Sequence, residues 1–205
     1  MIEGRPKRTP EKMEFMPEDY FRHHTPLEIF GNDHPCEVDL GCGDGKFLIE
    51  MAQQYPERNF IGVERLLGRA RKVARKIERC GLSNARVLRL ETQYVVEWLL
   101  APESISRLHL LCPDPWPKAK HHKRRVFQVP FLKLVRQLLV PGGEFCFKTD
   151  HDEYFEWALE ELDKYDGLTR LPWDDDTFFY PKTDFQLQWE AEGKSLDQLR
   201  LQKPL

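Results

Sequence analysis

Residues 36–45 read Cys36-Glu37-Val38-Asp39-Leu40-Gly41-Cys42-Gly43-Asp44-Gly45. The apolar run Cys36–Leu40 ends at glycines, which reads as a strand running into a tight turn. Glycine permits positive φ and lets backbone approach a ligand closely. Lys46–Tyr55 follows with Phe47, Met51 and Tyr55 on one helical face and Pro56 as its stop. Strand, glycine loop and helix in this order point to a nucleotide-type ligand. The dinucleotide pattern GxGxxG needs its third glycine where Lys46 stands. A P-loop fails too, because no GK[ST] follows.

The same rhythm continues on both sides. Strands are expected at Phe60–Val63, Arg86–Leu90, Leu108–Cys112 and Glu144–Lys148. Helices are expected at Leu66–Cys80, Tyr94–Leu100, Phe127–Val140 and Glu153–Tyr165, the third stopped by Pro141-Gly142-Gly143. Alternation of this kind implies right-handed βαβ units. The expected fold is α/β: a doubly wound, mostly parallel sheet with helices on both faces, Rossmann-like. Residues 1–35, with prolines at 6, 10, 17, 26 and 35, read as an irregular N-terminal arm, and 36–205 as one domain. Residues 168–205 are mixed, with a strand expected near Phe185–Trp189. Trp98 and Trp157 are expected in the core.

Ligands of such sheets bind beyond the carboxyl ends of the strands. Three acids stand there in succession. Asp39 ends the first strand, Glu64 follows Val63, and Glu91 follows Leu90. A carboxylate after the second strand can accept both ribose hydroxyls. An acidic glycine loop disfavours a pyrophosphate and favours a sulfonium. On these residues the chain resembles the class I S-adenosylmethionine-dependent methyltransferases.

The most specific stretch is Pro113-Asp114-Pro115-Trp116-Pro117-Lys118-Ala119-Lys120-His121-His122-Lys123-Arg124-Arg125. Prolines on either side fix Asp114 in a rigid turn, with an indole suited to a flat heterocycle. A buried carboxylate is expected there. The basic run behind it suits phosphates. The basic helix Leu66–Cys80 either extends that patch or is an ordinary solvated face. The pattern closely resembles the tRNA (guanine-N7)-methyltransferases, the bacterial type that works as a single chain. The resemblance spans roughly residues 36 to 193 and includes Lys148-Thr149-Asp150 and Thr183-Asp184-Phe185-Gln186. Gln186 stands where the family carries Glu, and Glu91-Thr92 where it tends towards Asp-Ala. The resemblance implies an S-adenosylmethionine pocket lined by Asp39, Gly41, Gly43, Glu64, Glu91 and Asp114. It implies that Asp114 is catalytic. It implies that Lys118, Asp150, Thr183, Asp184, Phe185 and Gln186 face the RNA. The implied reaction is methylation of the variable-loop guanosine 46 of tRNA, with tRNA as partner and no metal.

Composition bounds this reading. The chain has 205 residues, 40% of them hydrophobic and 12% aromatic, which suits a packed globule. No stretch approaches ~20 apolar residues, so no membrane span is expected. Met1–Pro10 lacks an apolar signal core, and the five cysteines show no CxxC spacing. A cytoplasmic protein is therefore expected, monomer or homodimer, with no obligatory protein partner. The net charge of −3 conceals an asymmetry. Residues 65–136 hold 17 Lys/Arg against five acids, and residues 150–192 hold 14 acids against three Lys/Arg. Three rivals stand beside the main reading: an adenine amino-group methyltransferase, a non-catalytic RNA-binding module, and, weakest on glycine spacing, a NAD-dependent oxidoreductase.

Overall fold

The computed structural model describes residues 11–173, 179–193 and 195–205. Its frame is an eight-stranded sheet. The strands are β1 (Glu14–Phe15), β2 (Cys36–Leu40), β3 (Asn59–Val63), β4 (Ala85–Leu88), β5 (Ile105–Leu111), β6 (Leu139–Thr149), β7 (Thr169–Leu171) and β8 (Asp197–Gln202), in the order β1-β4-β3-β2-β5-β6-β8-β7. All pairs are parallel except β6–β8 and β8–β7. The doubly wound, mostly parallel fold expected from the sequence is the fold observed. The chain winds outward from β2 to β4, returns, and starts again at β5. The switch point thus lies between β2 and β5, where such sheets open a crevice.

The helices are α1 (Pro26–Phe30), α2 (Lys46–Gln54), α3 (Leu67–Arg79), the short α4 (Thr92–Tyr94), α5 (Val129–Leu138), α6 (Asp152–Asp163) and α7 (Asp184–Ala191). Every residue of β2 and β3 is buried, as central parallel strands require. α2 covers one face with Phe47, Leu48, Met51 and Ala52, and α3 adds Ala70, Val73, Ala74 and Ile77. On the other face Phe127, Phe131, Leu132 and Val135 pack on Phe145 and Phe147.

Several expectations need correction. The stretch read as irregular carries β1, parallel to β4, and α1, whose Thr25 and Glu28 form a capping box. The helix expected to reach Val140 ends at Leu138. Leu139 already pairs with Ile105, and a register shift follows before Glu144 meets Arg107. The expected strand at Phe185–Trp189 is helix α7. Thr183 caps it by accepting from the Gln186 amide at 3.0 Å. Trp98 is 55% exposed, within a π-helical segment, Val95–Leu99.

Under the switch point lies a buried charge network. Glu37 is fully buried on β2. Its Oε1 accepts from Arg58 at 2.8 Å and Arg107 at 3.3 Å, and its Oε2 pairs with His109 Nε2 at 2.8 Å. Arg107 also donates to Glu144 at 3.1 Å, and Arg200 on β8 donates to Glu144 at 2.6 and 3.2 Å. Four strands, β2, β5, β6 and β8, are thereby tied. Burial disfavours the ionised Glu37, but the His109 hydrogen bond and the two guanidinium charges outweigh it and hold this acid below the ordinary range. Burial likewise holds His109 below its ordinary value, against the pull of Glu37. The neutral ring therefore donates from Nε2 to Glu37. Its Nδ1, 2.8 Å from the Tyr180 hydroxyl, accepts from it.

Removing one partner from such a network leaves buried charges uncompensated. Glu37→Gln should cost roughly 2–4 kcal/mol of unfolding free energy, with the denaturant slope unchanged. Urea titration of the variant beside the parent checks this.

Candidate active site

The crevice at the switch point is a cleft of about 560 Å³. Its wall comes from the ends of β2, β3 and β5 and the segment after β4. Asp39, Gly41, Gly43, Glu64, Glu91 and Asp114 all line it, so the six residues assigned to one pocket by the sequence do meet there. Gly41, Gly43 and Gly45 have φ of 86°, 57° and 82°. A Cβ on Gly41 or Gly43 would meet nothing within 4 Å, because both face the open cleft, whereas one on Gly45 would strike Val73 at 2.9 Å. The Gly41 and Cys42 amides both donate to the Val63 carbonyl at 2.9 Å, which pins the loop against β3.

Asp39 sits at the root of this loop and is only 4% exposed. Among the described residues no basic side chain pairs with it. Burial, reinforced by the nearby Glu64 charge, pushes its carboxyl up to about 7. Glu64 is itself 6% exposed and accepts from the Leu66 amide at 2.7 Å. Two buried carboxylates beside an open glycine cradle ask for a ligand that carries positive charge and hydroxyl donors. S-adenosylmethionine has both, so the residues present fit it: Asp39 and the glycines against the charged amino-acid end, Glu64 against the ribose. Glu91 is exposed at the far end, 4.0 Å from the Arg65 guanidinium.

The turn after β5 completes the cleft. Asp114 lines it but is exposed, not buried as expected, because the turn projects beyond the sheet. Cys112 and Trp116, two residues on either side, hold φ of 48° and 47°. Left-handed backbone at two non-glycine residues is strained, and such strain concentrates at functional turns. The Arg124 guanidinium stacks over the Trp116 ring at 4.9 Å, and both line the cleft. From behind, Arg125 is 1% exposed and donates to the Pro115 carbonyl at 2.8 Å. It also lies over the Tyr154 and Trp157 rings at 5.0 and 5.4 Å. Arg125 thus braces the turn and is no phosphate ligand. His122 is turned inward as well, 3.1 Å from Glu153. The cations of this run that reach solvent are Lys118, Lys120, Lys123 and Arg124.

The expected RNA-facing residues are less concentrated. Thr183 lines the cleft. Gln186 is 9% exposed, and its amide donates along the helix to Glu190 at 2.9 Å. Lys118 is exposed at the start of a 3₁₀ turn, Ala119–Arg124, outside the cleft lining. Asp150 is half-buried beyond β6; its charge adds to burial in pushing the Cys112 thiol up to about 12, which sets it close to the strained turn. The side chains of Asp184 and Phe185, and residues 174–176, lie outside what is described. Sequence reasoning missed the brace at Arg125 and the latch from His109 to Tyr180. That latch ties the segment leading to Thr183 onto the sheet, and Phe47 of the cleft packs against both rings at 4.9 and 5.0 Å. The capping pattern Thr183-x-x-Gln186 was the available signal for the helix.

The chain is similar to known proteins. A family model described as "Putative methyltransferase" matches residues 33–199. A curated protein of Syntrophotalea carbinolica, "tRNA (guanine-N(7)-)-methyltransferase", is 34% identical over 171 residues, covering 82% of this chain and 74% of its own. Among solved structures, the aminoglycoside resistance methyltransferase NpmB1 superposes with a TM-score of 0.63 at 19% identity, covering 88% of this chain and 94% of that one. SMU.1697c of Streptococcus mutans, "a putative methyltransferase" in complex with SAH, superposes with a TM-score of 0.56 at 11% identity, covering 84% of this chain and 90% of that one. At such identities the two structures speak for the fold.

The uncompensated Asp39 has a measurable consequence. With a folded-state value near 7 against 3.8 when unfolded, its ionisation costs folding free energy. The cost is absent below pH 3.8, grows between the two values, and is complete above pH 7. Asp39→Asn should therefore stabilise the ligand-free protein by on the order of 1–3 kcal/mol at pH 8, and by clearly less at pH 5. Denaturant unfolding at the two pH values checks this.

Proposed function

The chain belongs to the tRNA (guanine-N7)-methyltransferase family, and from that premise we propose that it methylates N7 of the variable-loop guanosine 46 of tRNA. The cleft with its six converging residues carries the reading. The enzyme works in the cytoplasm as a single kind of chain, without an obligatory protein partner. Its catalytic unit is 36–205, with 1–35 as an arm.

S-adenosylmethionine, when bound, would supply a sulfonium methyl to guanine N7: the N7–C bond would form as the S–C bond breaks, S-adenosylhomocysteine would leave, and the positive charge would pass to the ring. N7 already carries its lone pair, so no residue has to remove a proton before attack. The protein's work is alignment and electrostatics. Asp39 and the Gly41–Gly43 backbone hold the amino-acid end of the cofactor, Glu64 the ribose and Glu91 the adenine. Asp114, on its braced turn, accepts from the N1–H and N2–H₂ edge of guanine, and Asp150 stands on the other side of the base. Negative charge on that edge moves electron density towards N7 and opposes the growing positive charge. The exposed position of Asp114 suits this role, because the base has to arrive from solvent. Trp116 offers a flat face beside it. Lys118 and the Thr183–Gln186 segment meet the RNA, with the Gln186 side-chain amide engaged by Glu190.

Two measurements test the reading. Incubation with labelled S-adenosylmethionine and unmodified tRNA should place the label in 7-methylguanosine, and a transcript with adenosine at position 46 should take none. Label in N6-methyladenosine, or no label, would sink the reading. Asp114→Asn should lower kcat about 10²-fold, the range for losing one electrostatic contact to a developing charge. A parental rate would remove Asp114 from its role.

A further inference from the structure

We propose that the outer face of α3 is a phosphate track that grips a second stretch of the tRNA backbone, away from the reacting base. This rests on the tRNA reading above. At 100° per residue, Arg69, Lys72, Lys76 and Arg79 fall within an arc of about 80°, and Arg65 precedes the helix. The opposite face, Ala70, Val73, Ala74 and Ile77, is buried. Arg65 and Arg69 line the main cleft. Lys72, Lys76 and Arg79 line a second groove of about 520 Å³. Asp44 of the glycine loop lines both, so the groove opens directly from the cleft. From Arg69 to Arg79 the stripe runs about 15 Å, enough for several phosphates of one strand.

A solvated helix face normally mixes signs at three- and four-residue spacing. Here Lys76 pairs with Asp44 at 3.2 Å and Arg65 stands 4.0 Å from Glu91, but Arg69, Lys72 and Arg79 have no carboxylate partner among the described residues. Three exposed cations with no carboxylate partner among the described residues repel one another, although Asp44 and Glu78 line the same groove. The helix dipole rewards Lys76 and Arg79 in the last turn, yet penalises Arg69 in the first. α3 therefore gives up stability to present this stripe. A polyanion repays it, and continuity with the cleft favours the polyanion whose base enters that cleft over an acidic protein.

The experiment compares the parent with Lys72→Glu/Arg79→Glu. Both sites are exposed, so the fold is kept. KM for full-length tRNA should rise at least about 10-fold, and the slope of log affinity against log salt should fall by about 1.5, as expected for two lost phosphate contacts at ~0.7–0.9 each. Methylation of a short hairpin bearing only the variable loop should proceed at the parental rate, and Lys72→Gln/Arg79→Gln should show an intermediate defect. Unchanged KM and salt slope would overturn the proposal. So would a change in mass in solution without a change in tRNA affinity, which assigns the stripe to a protein contact. Failure of the parental protein to form 7-methylguanosine strikes the function instead; direct tRNA binding by parent and variant then still decides the track.

Discussion

Glu37 and Asp39 stand two residues apart on one strand, so their side chains leave the sheet on the same side. Glu37 is met by a guanidinium from each side and by a neutral imidazole. Asp39 meets no cation among the described residues. The first carboxylate ties strands across the switch point. The second faces the crevice that the switch point opens. The architecture depends on this division: one acid is compensated inside the protein so that its neighbour can be left for a ligand. A buried charge that was not tied down at Glu37 would unsettle the strands from which the cleft is hung.

Much of this could be read from the chain. A strand that runs into three glycines and out into an amphipathic helix leaves few choices of fold. Acids at successive strand ends marked the cleft because a parallel sheet exposes those ends together. The rest was hidden for identifiable reasons. Leu199 and Leu201 alternate with polar residues as a strand with one buried face should, but six residues at the end of a mixed segment are a weak signal, and β8 went unread. Phe185–Trp189 has strand-like composition, and the Thr183 cap overrides it. Arg125 is one of seven basic residues in a row of eight. Composition cannot tell which of them turns inward to meet Pro115. Trp98 was expected in the core on residue type alone, whereas the π-helical turn carries it to the surface. The His109–Tyr180 bond joins residues 71 positions apart and has no local trace.

The charge asymmetry of the sequence also takes a definite form. The acidic third is not merely a counterweight to the basic middle. Glu153 on α6 meets both His122 and Arg125 from behind the basic run, and Glu161 receives the Val129 amide at the head of α5. Acids of α6 thus hold in place the base of a surface whose outer cations remain available. Net charge, which sums these contributions, would never reveal the arrangement.

The turn around Asp114 carries one more consequence. Cys112 and Trp116 are left-handed in a turn where Arg125 donates to the Pro115 carbonyl, Cys112 donates to the Lys148 carbonyl and Arg124 stacks on Trp116. Each such residue stores on the order of 1 kcal/mol. Glycine at either position would release it. Selection for heat tolerance alone would therefore find this turn early, and would trade a taut lip of the cleft for a slack one. In this enzyme durability and aim compete over the same few backbone angles.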